Sequence, residues 1–455
     1  MNSKLILLEL NELTPVLMEK FIAQGLLPNF KALRDQSECY ISDAEQEPPA
    51  LEPWIQWVTL HTGLSFAEHG VFDLGDGQRF LAPRLWDRVA EHGGRALVFG
   101  SMNASFQPQH RDKINLVPDP WSISLKPSPA GLYDDFYSFL RTYVHEYTSE
   151  QPPLDARAHA RFVAFMVRRG LSMKTITDAI TQLMIEKVGA PKWRRAAILD
   201  RLFWDAFRSE WKRLQPNLAT VFLNSTAHLQ HYYWRDMEPE KFGLKPDAAN
   251  KAGDAIIFGY QRMDQIVGEC LEMAGQNVYI ALCSALGQQP LTKYDQQGGK
   301  LVFKLRDPKI LLHFSGYRGA YHYSPVMAEQ FHLILNSEDT AREAHEKLAA
   351  LQHDQKPVMD IRRDGCEIFG GCGLIQQPAE SAMISTPYSN TTLPFSALFY
   401  PVDTLKSGMH HPDGIFWLSG PDITPKQDAG RIPLTRVGDM MLDKANLSAT
   451  SKILA

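Results

Sequence analysis

The first apolar run of the chain, Leu5 to Leu8, sits in a stretch that reads as a strand over residues 4–10, in which alternate residues face the same way. On that alternation Glu9 and Asn11 share one face. A turn over 11–14 and a helix over 15–24 follow, with Pro15 in the first helical turn and Gly25 closing it. The pattern then recurs. A helix over 83–92 runs through Gly93-Gly94 into a strand over 95–99, further strands are expected over 218–224 and 278–283, and a helix over 255–274 precedes the last of these. Strands alternating with helices predict an α/β fold, a three-layer sandwich with a mostly parallel central sheet covered on both faces.

Two stretches depart from that alternation. From about 155 to 214 charged and apolar positions recur at helical spacing with no strand signal, and from about 288 onward the composition changes, with a helix expected near 340–352 and a strand near 356–362. The expected organisation is therefore a core over 1–110, a mostly helical insertion over 111–217, core again over 218–287, a cap insertion over 288–400 and a final core segment over 401–455. The small, polar tail after Asp443 is expected to fray.

With 455 residues, 44% hydrophobic and 22% charged, the chain can bury a sizeable core. A formal net charge of -5 and the lack of a Lys/Arg stripe interleaved with aromatics argue against nucleic acid as partner. The first apolar run is too short for a signal peptide, and no run of about 18 apolar residues occurs, so a cytoplasmic protein without membrane insertion is expected. Five scattered cysteines do not suggest a disulfide framework, and Cys366/Cys372 lacks the partner pair of a zinc ribbon.

Candidate chemistry is sought where strands end, because ligands of open α/β sheets collect there. Those positions hold Asn11, His231, Ser284 with its neighbours, and the pair His410-His411.

The segments that surround them resemble a known family. Leu5 to Pro15 with Gly25-Leu26-Leu27-Pro28-Asn29-Phe30, then Trp57 to Gly63 with Glu68 to Asp73, are similar to alkaline phosphatase superfamily members of the phosphodiesterase/nucleotide pyrophosphatase type. The second of these looks like that family's W-x-T-x-x-T-G-x-x-P-x-x-H-G-x-x-D signature. Pro83 to Asp87, Thr226 to Trp234, Val278 to Gly287 and Gly408 to Phe416 continue the resemblance in the family's order. It implies an alkaline phosphatase-like fold and, ordinarily, two metal ions, usually zinc, that activate a Ser or Thr nucleophile and steady the leaving oxygen.

Position by position, most of that machinery is replaced. The Asp expected after the first strand is Asn11, and the nucleophile position offers Pro53 between Glu52 and Trp54. In the T-D-x-x-x-H segment the Asp is Ala227 while His231 remains, and S-D-H-G reads Ser284-Ala285-Leu286-Gly287. The late histidine is kept as His410. A two-zinc site is therefore not expected; His231 and His410 either serve as acid and base without metal or, with a carboxylate, hold one divalent metal.

Two readings follow. One is a divergent hydrolase or transferase acting on an anionic or ester-containing small molecule, with His231, His410 and Glu52 catalytic and Asn11, Glu9, His228, Cys283, Ser284 and His411 around them. In that reading Glu9 points where the ligand Asp once pointed. The other is a pseudoenzyme, a binding or scaffolding protein that keeps the fold without turnover. The ordinary two-metal phosphodiesterase stands behind both.

Overall fold

A computed structural model describes residues 3–122, 125–145, 154–245, 252–325, 330–402 and 404–448. Most of the chain forms one compact unit, over Met1–Val144, Gln151–Pro290 and Gly408–Ala455, while a second spans Leu291–Ser407.

The first unit is built on eight strands. In chain order they are β1 (Leu5–Leu10), β2 (Ser37–Asp43), β3 (Ala96–Phe99), β4 (Ile114–Val117), β5 (Leu218–Leu223), β6 (Tyr279–Ser284), then, after the short β7 (Gly287–Pro290) and β8 (Gly408–His411), β9 (Asp413–Ser419) and β10 (Arg431–Pro433). The sheet order is β10-β2-β9-β6-β1-β5-β3-β4. Neighbours from β6 to β4 pair in parallel, and β9 runs antiparallel between β2 and β6. Every residue of β1, β5 and β6 is buried, as expected of parallel strands covered on both faces. The fold is mixed α/β with a mostly parallel central sheet.

The stretch over 111–217 is not all helix. It opens with β4 at the sheet edge, whose apolar Ile114, Leu116 and Val117 are buried, before the helices Asp134–His145, Ala156–Arg168, Met173–Glu186 and Arg195–Leu214. Four residues gave too short a run to register against helical spacing.

The second unit has its own core, which includes Phe303, Phe331, Leu333, Leu348 and Phe399. A four-stranded antiparallel sheet, built from Tyr321–Pro325, Phe331–Leu335, Met359–Asp364 and Glu367–Cys372, packs with the helix Glu338–Ala349. At the end of the chain, the helix Leu434–Lys444 buries Leu434, Val437, Met441 and Leu442. The tail expected to fray lies largely beyond it, and residues 449–455 are outside the described residues.

Candidate functional site

The register of β1 with β5 and β6 brings three strand ends level, Leu10 opposite Leu223 and Glu9 opposite Cys283. Past β1 the backbone turns through Glu12, whose φ of 59° lies in the left-handed region that costs an ordinary side chain about 1 kcal/mol. Hydrogen bonds hold it there. Gln230 Nε2 donates to the Glu12 carbonyl oxygen at 2.7 Å, while Tyr260 Oη donates to Gln230 and accepts from the Thr14 amide.

Past β5, the helix Ser225–Met237 begins with its Asn224 and Ser225 amides donating to the buried Asp200 carboxylate, and two turns on it presents His231. Burial pushes the Asp200 carboxyl up to about 6 against those same hydrogen bonds. Past β6, β7 and β8 form an antiparallel pair in which Gln288 and His410 are directly opposite. The pair lies close against the helix. A Cβ on Gly408 would sit 2.3 Å from the Gln230 carbonyl oxygen, so only glycine fits.

These elements converge on one carboxylate oxygen. Glu12 Oε2 lies 3.0 Å from His231 Nε2 and 3.5 Å from His410 Nε2, and it accepts a hydrogen bond from Gln288 Nε2. The two imidazoles are 5.2 Å apart, centre to centre. Glu12 is buried, whereas the histidine side chains keep 17% and 14% of their surface. One ligand atom from each of Glu12, His231 and His410 lies within 4.8 Å of the others, close enough to share a single cation. Burial alone would raise the Glu12 carboxyl; the charges of His231 and His410, and their hydrogen bonds, outweigh it and hold the group well below the usual carboxylate range.

His410 is oriented from behind. Its Nδ1 lies 2.9 Å from the Leu51 carbonyl oxygen, a partner that only accepts, so this nitrogen carries the proton. In the neutral ring Nε2 then presents a lone pair towards Glu12 Oε2. Glu52 Oε2 is 3.4 Å from the same Nδ1, with the Glu52 side chain 30% exposed.

The remaining expected residues fall elsewhere. Glu9 does not reach the site: it is buried and bonded to His61 Nε2 at 2.7 Å, because the face it shares with Asn11 is covered by the helix Pro53–Thr62. Asn11 lies beside Glu12, donating to Glu12 Oε1 at 2.9 Å and to Asn224 Oδ1 at 2.8 Å and accepting from the Trp57 indole at 2.9 Å. His228 packs its ring against Tyr232, and burial, helped by the charge of His231, pulls its pKa down to about 4. Cys283 is buried and its thiol is pushed well above its ordinary value, first by burial and then by Glu9. The Ser284 hydroxyl donates to main-chain carbonyls at Leu13 and Leu286, and His411 Nδ1 accepts from the Asp413 amide within its own turn.

Glu12 is the residue that sequence reasoning missed. Its signal was a second polar residue directly after Asn11 at a strand end, where a left-handed turn redirects the side chain.

The positions where the resemblance implies further metal ligands and a nucleophile hold other side chains. Leu286 is fully buried in an apolar cluster with Ala44 and Leu51, Ala285 is buried beside it, and Pro53 begins a helix. That donor set does not fit a two-metal centre. It fits one cation on Glu12, His231 and His410, with the Glu12 carboxylate supplying the negative charge.

The family model of type I phosphodiesterase / nucleotide pyrophosphatase matches residues 5–369, a span that contains Glu12 and His231 and stops short of His410. Among solved structures, the chain is similar to phosphonoacetate hydrolase from Sinorhizobium meliloti 1021 in complex with phosphonoformate, at 12% identity and a TM-score of 0.44, over 97% of this chain and 96% of that one. It is also similar to murine ectonucleotide pyrophosphatase / phosphodiesterase 5, at 11% identity and a TM-score of 0.42 over 98% and 96% of the two chains. The human protein of that name gives the same identity, score and coverage. No curated protein matches the chain.

Proposed function

Because the chain belongs to the type I phosphodiesterase / nucleotide pyrophosphatase family, we propose that it is a divergent member which acts on an ester-containing anionic small molecule through a single-cation site. The observation that carries this reading is the orientation of His410. With its Nδ1 proton on the Leu51 carbonyl oxygen, His410 turns Nε2 to Glu12 Oε2, as His231 does, so that each ring donates to the carboxylate when protonated and offers a lone pair beside it to a cation when neutral. A histidine that donates its far N–H to a carbonyl or carboxylate while its near nitrogen turns to an anionic partner has the usual environment of a metal-ligating imidazole.

Glu12, His231 and His410 would hold the cation, a two-histidine, one-carboxylate set that leaves a position open. When bound, it would polarise an ester or phosphate oxygen. Nothing at Pro53 can form a covalent intermediate, so attack falls to water. Glu52, solvent-accessible and next to His410, is the carboxylate placed to accept the proton of that water. Gln288 and Asn11 keep the Glu12 carboxylate oriented throughout.

Elemental analysis and zinc titration of the purified chain, beside turnover of aryl phosphate mono- and diesters, test this. One equivalent per chain, lost in Glu12→Gln and His410→Ala together with turnover, is expected. Two tightly bound equivalents, or turnover unchanged in both variants, would refute it.

A second reading, a binding protein without turnover, draws on the apolar filling by Leu286 and on Pro53. It expects no metal to bind tightly and no ester to be cleaved by the wild type.

A further inference from the structure

Two consecutive helices turn apolar side chains towards solvent. Along Ala156–Arg168 the exposed positions include Ala156, Ala160, Val163, Ala164 and Val167, the spacing of one helical face, while Phe162, Phe165 and Met166 are buried opposite. The helix Met173–Glu186 is inverted. Its buried side chains are Thr175 and Gln182, whereas Met173, Ile180 and Met184 are 73%, 52% and 58% exposed, with Leu183 and Val188 exposed beside them. Of twelve large hydrophobic side chains exposed among the described residues, seven lie between Val163 and Val188. Single exposed apolar residues are ordinary; stripes at helical spacing mark a surface that something covers.

The charge of the same segment identifies what covers it. Residues 156–195 hold nine Lys and Arg, of which Arg161, Arg169, Lys174, Arg194 and Arg195 are ion-paired with Asp135, Glu210, Glu269, Asp254 and Glu186, so the positive charge turned to solvent rests on the other four. Arg157 and Arg168 flank the first stripe, and Lys187 and Lys192 follow the second. All four are exposed, and among the described residues none of them is in an ion pair. A second copy of the chain would bring this positive surface against itself. Nucleic acid would meet the charge and leave the stripes in water. The headgroup layer of an anionic bilayer accepts both.

We propose that the segment from Ala156 to Arg195 is a peripheral docking surface for an anionic phospholipid membrane. The apolar stripes enter the headgroup layer, and the flanking Lys and Arg side chains pair with lipid phosphates. No helix among the described residues is long and apolar enough to cross a membrane, so attachment is to the surface, reversible and sensitive to salt.

The test is flotation of the full chain with vesicles of phosphatidylcholine and phosphatidylglycerol, beside pure phosphatidylcholine. Binding to the mixed vesicles is expected, weaker by about tenfold or more on pure phosphatidylcholine and at high salt. The double variants Ile180→Glu with Met184→Glu, and Lys187→Glu with Lys192→Glu, should each lose about tenfold. These side chains are exposed, so folding, checked by circular dichroism, is expected to survive; Val163→Ser with Val167→Ser on the neighbouring helix repeats the test. The proposal fails if the wild type does not float, if the variants float equally well, or if sedimentation finds a dimer that Ile180→Glu with Met184→Glu takes apart.

Discussion

The side-chain amide of Asn11 donates to Glu12 Oε1 at 2.9 Å, and this ties the polar residue at the end of β1 to the carboxylate next to it in the chain. The direction of that amide is fixed from its other end. The Trp57 indole can only donate, so Asn11 Oδ1 faces Trp57, and the amide protons must face Glu12 and Asn224 Oδ1. Asn11→Asp would set a carboxylate against two acceptors. It should cost about 2–4 kcal/mol in urea unfolding and leave the metal content at one equivalent. A second equivalent in this variant would mean that Asn11 had been keeping a metal position vacant rather than positioning Glu12.

Leu286, at the position where the resemblance implies a histidine, packs with Ala44 and Leu51. Leu286→His should therefore bring an imidazole into an apolar contact without restoring a ligand set, at a cost of about 2–3 kcal/mol. The measurement is the unfolding midpoint alongside zinc stoichiometry. Gain of a second bound zinc with unchanged stability would show that the cluster had not replaced the site.

How much of this could be read from the chain depends on the kind of information each residue carries. The helix over Ala255–Ala274 and the strands of the parallel core have periodicities that belong to the local sequence, and they form where the pattern places them. His231 and His410 were found because their segments keep a family order. Strand alternation correctly put Glu9 and Asn11 on one face, but that face lies under the helix Pro53–Thr62, where Glu9 meets His61 and Asn11 meets Trp57. Glu12 was hidden because its direction comes from one left-handed φ, which periodicity does not encode, and Gln288 because its neighbour His410 is 122 residues away and joins it only through the β7–β8 pairing.

Glu9 and His61 make a fully buried pair, with the imidazole ring 4.9 Å from Trp86 and 5.8 Å from Trp57. His61→Ala leaves the Glu9 carboxylate buried without its partner and should cost roughly 3–5 kcal/mol, while zinc affinity in the folded fraction stays within about twofold. The opposite pattern, full stability with loss of zinc or turnover in Glu9→Gln, would return Glu9 to the site.

The thiols give a check on burial that needs no substitution. Cys39, Cys270 and Cys283 are buried, and burial pushes the Cys39 thiol up to about 12. Only Cys366 and Cys372, both partly exposed, should react with a disulfide reagent in the native chain, and the other three only after denaturation. Rapid modification of Cys283 would contradict its place inside β6 and reopen it as a nucleophile.

Glu12 sets the acid limit of the site. Its carboxyl is held well below the usual range in the folded chain, whereas in the unfolded chain it titrates near about 4.3. As pH falls, the unfolded state therefore binds this proton first. The stabilisation that Glu12 contributes is fully present above about pH 5 and is lost progressively as pH falls towards the depressed folded value. Glu12→Gln removes that contribution, so the stability gap between wild type and variant, measured by urea unfolding with chelator present to exclude any metal, should be widest at neutral pH and narrow through the acid range. A gap that stays constant with pH would mean that the folded carboxyl is not the ionised partner of His231 and His410, and the single-cation reading would lose its anionic ligand.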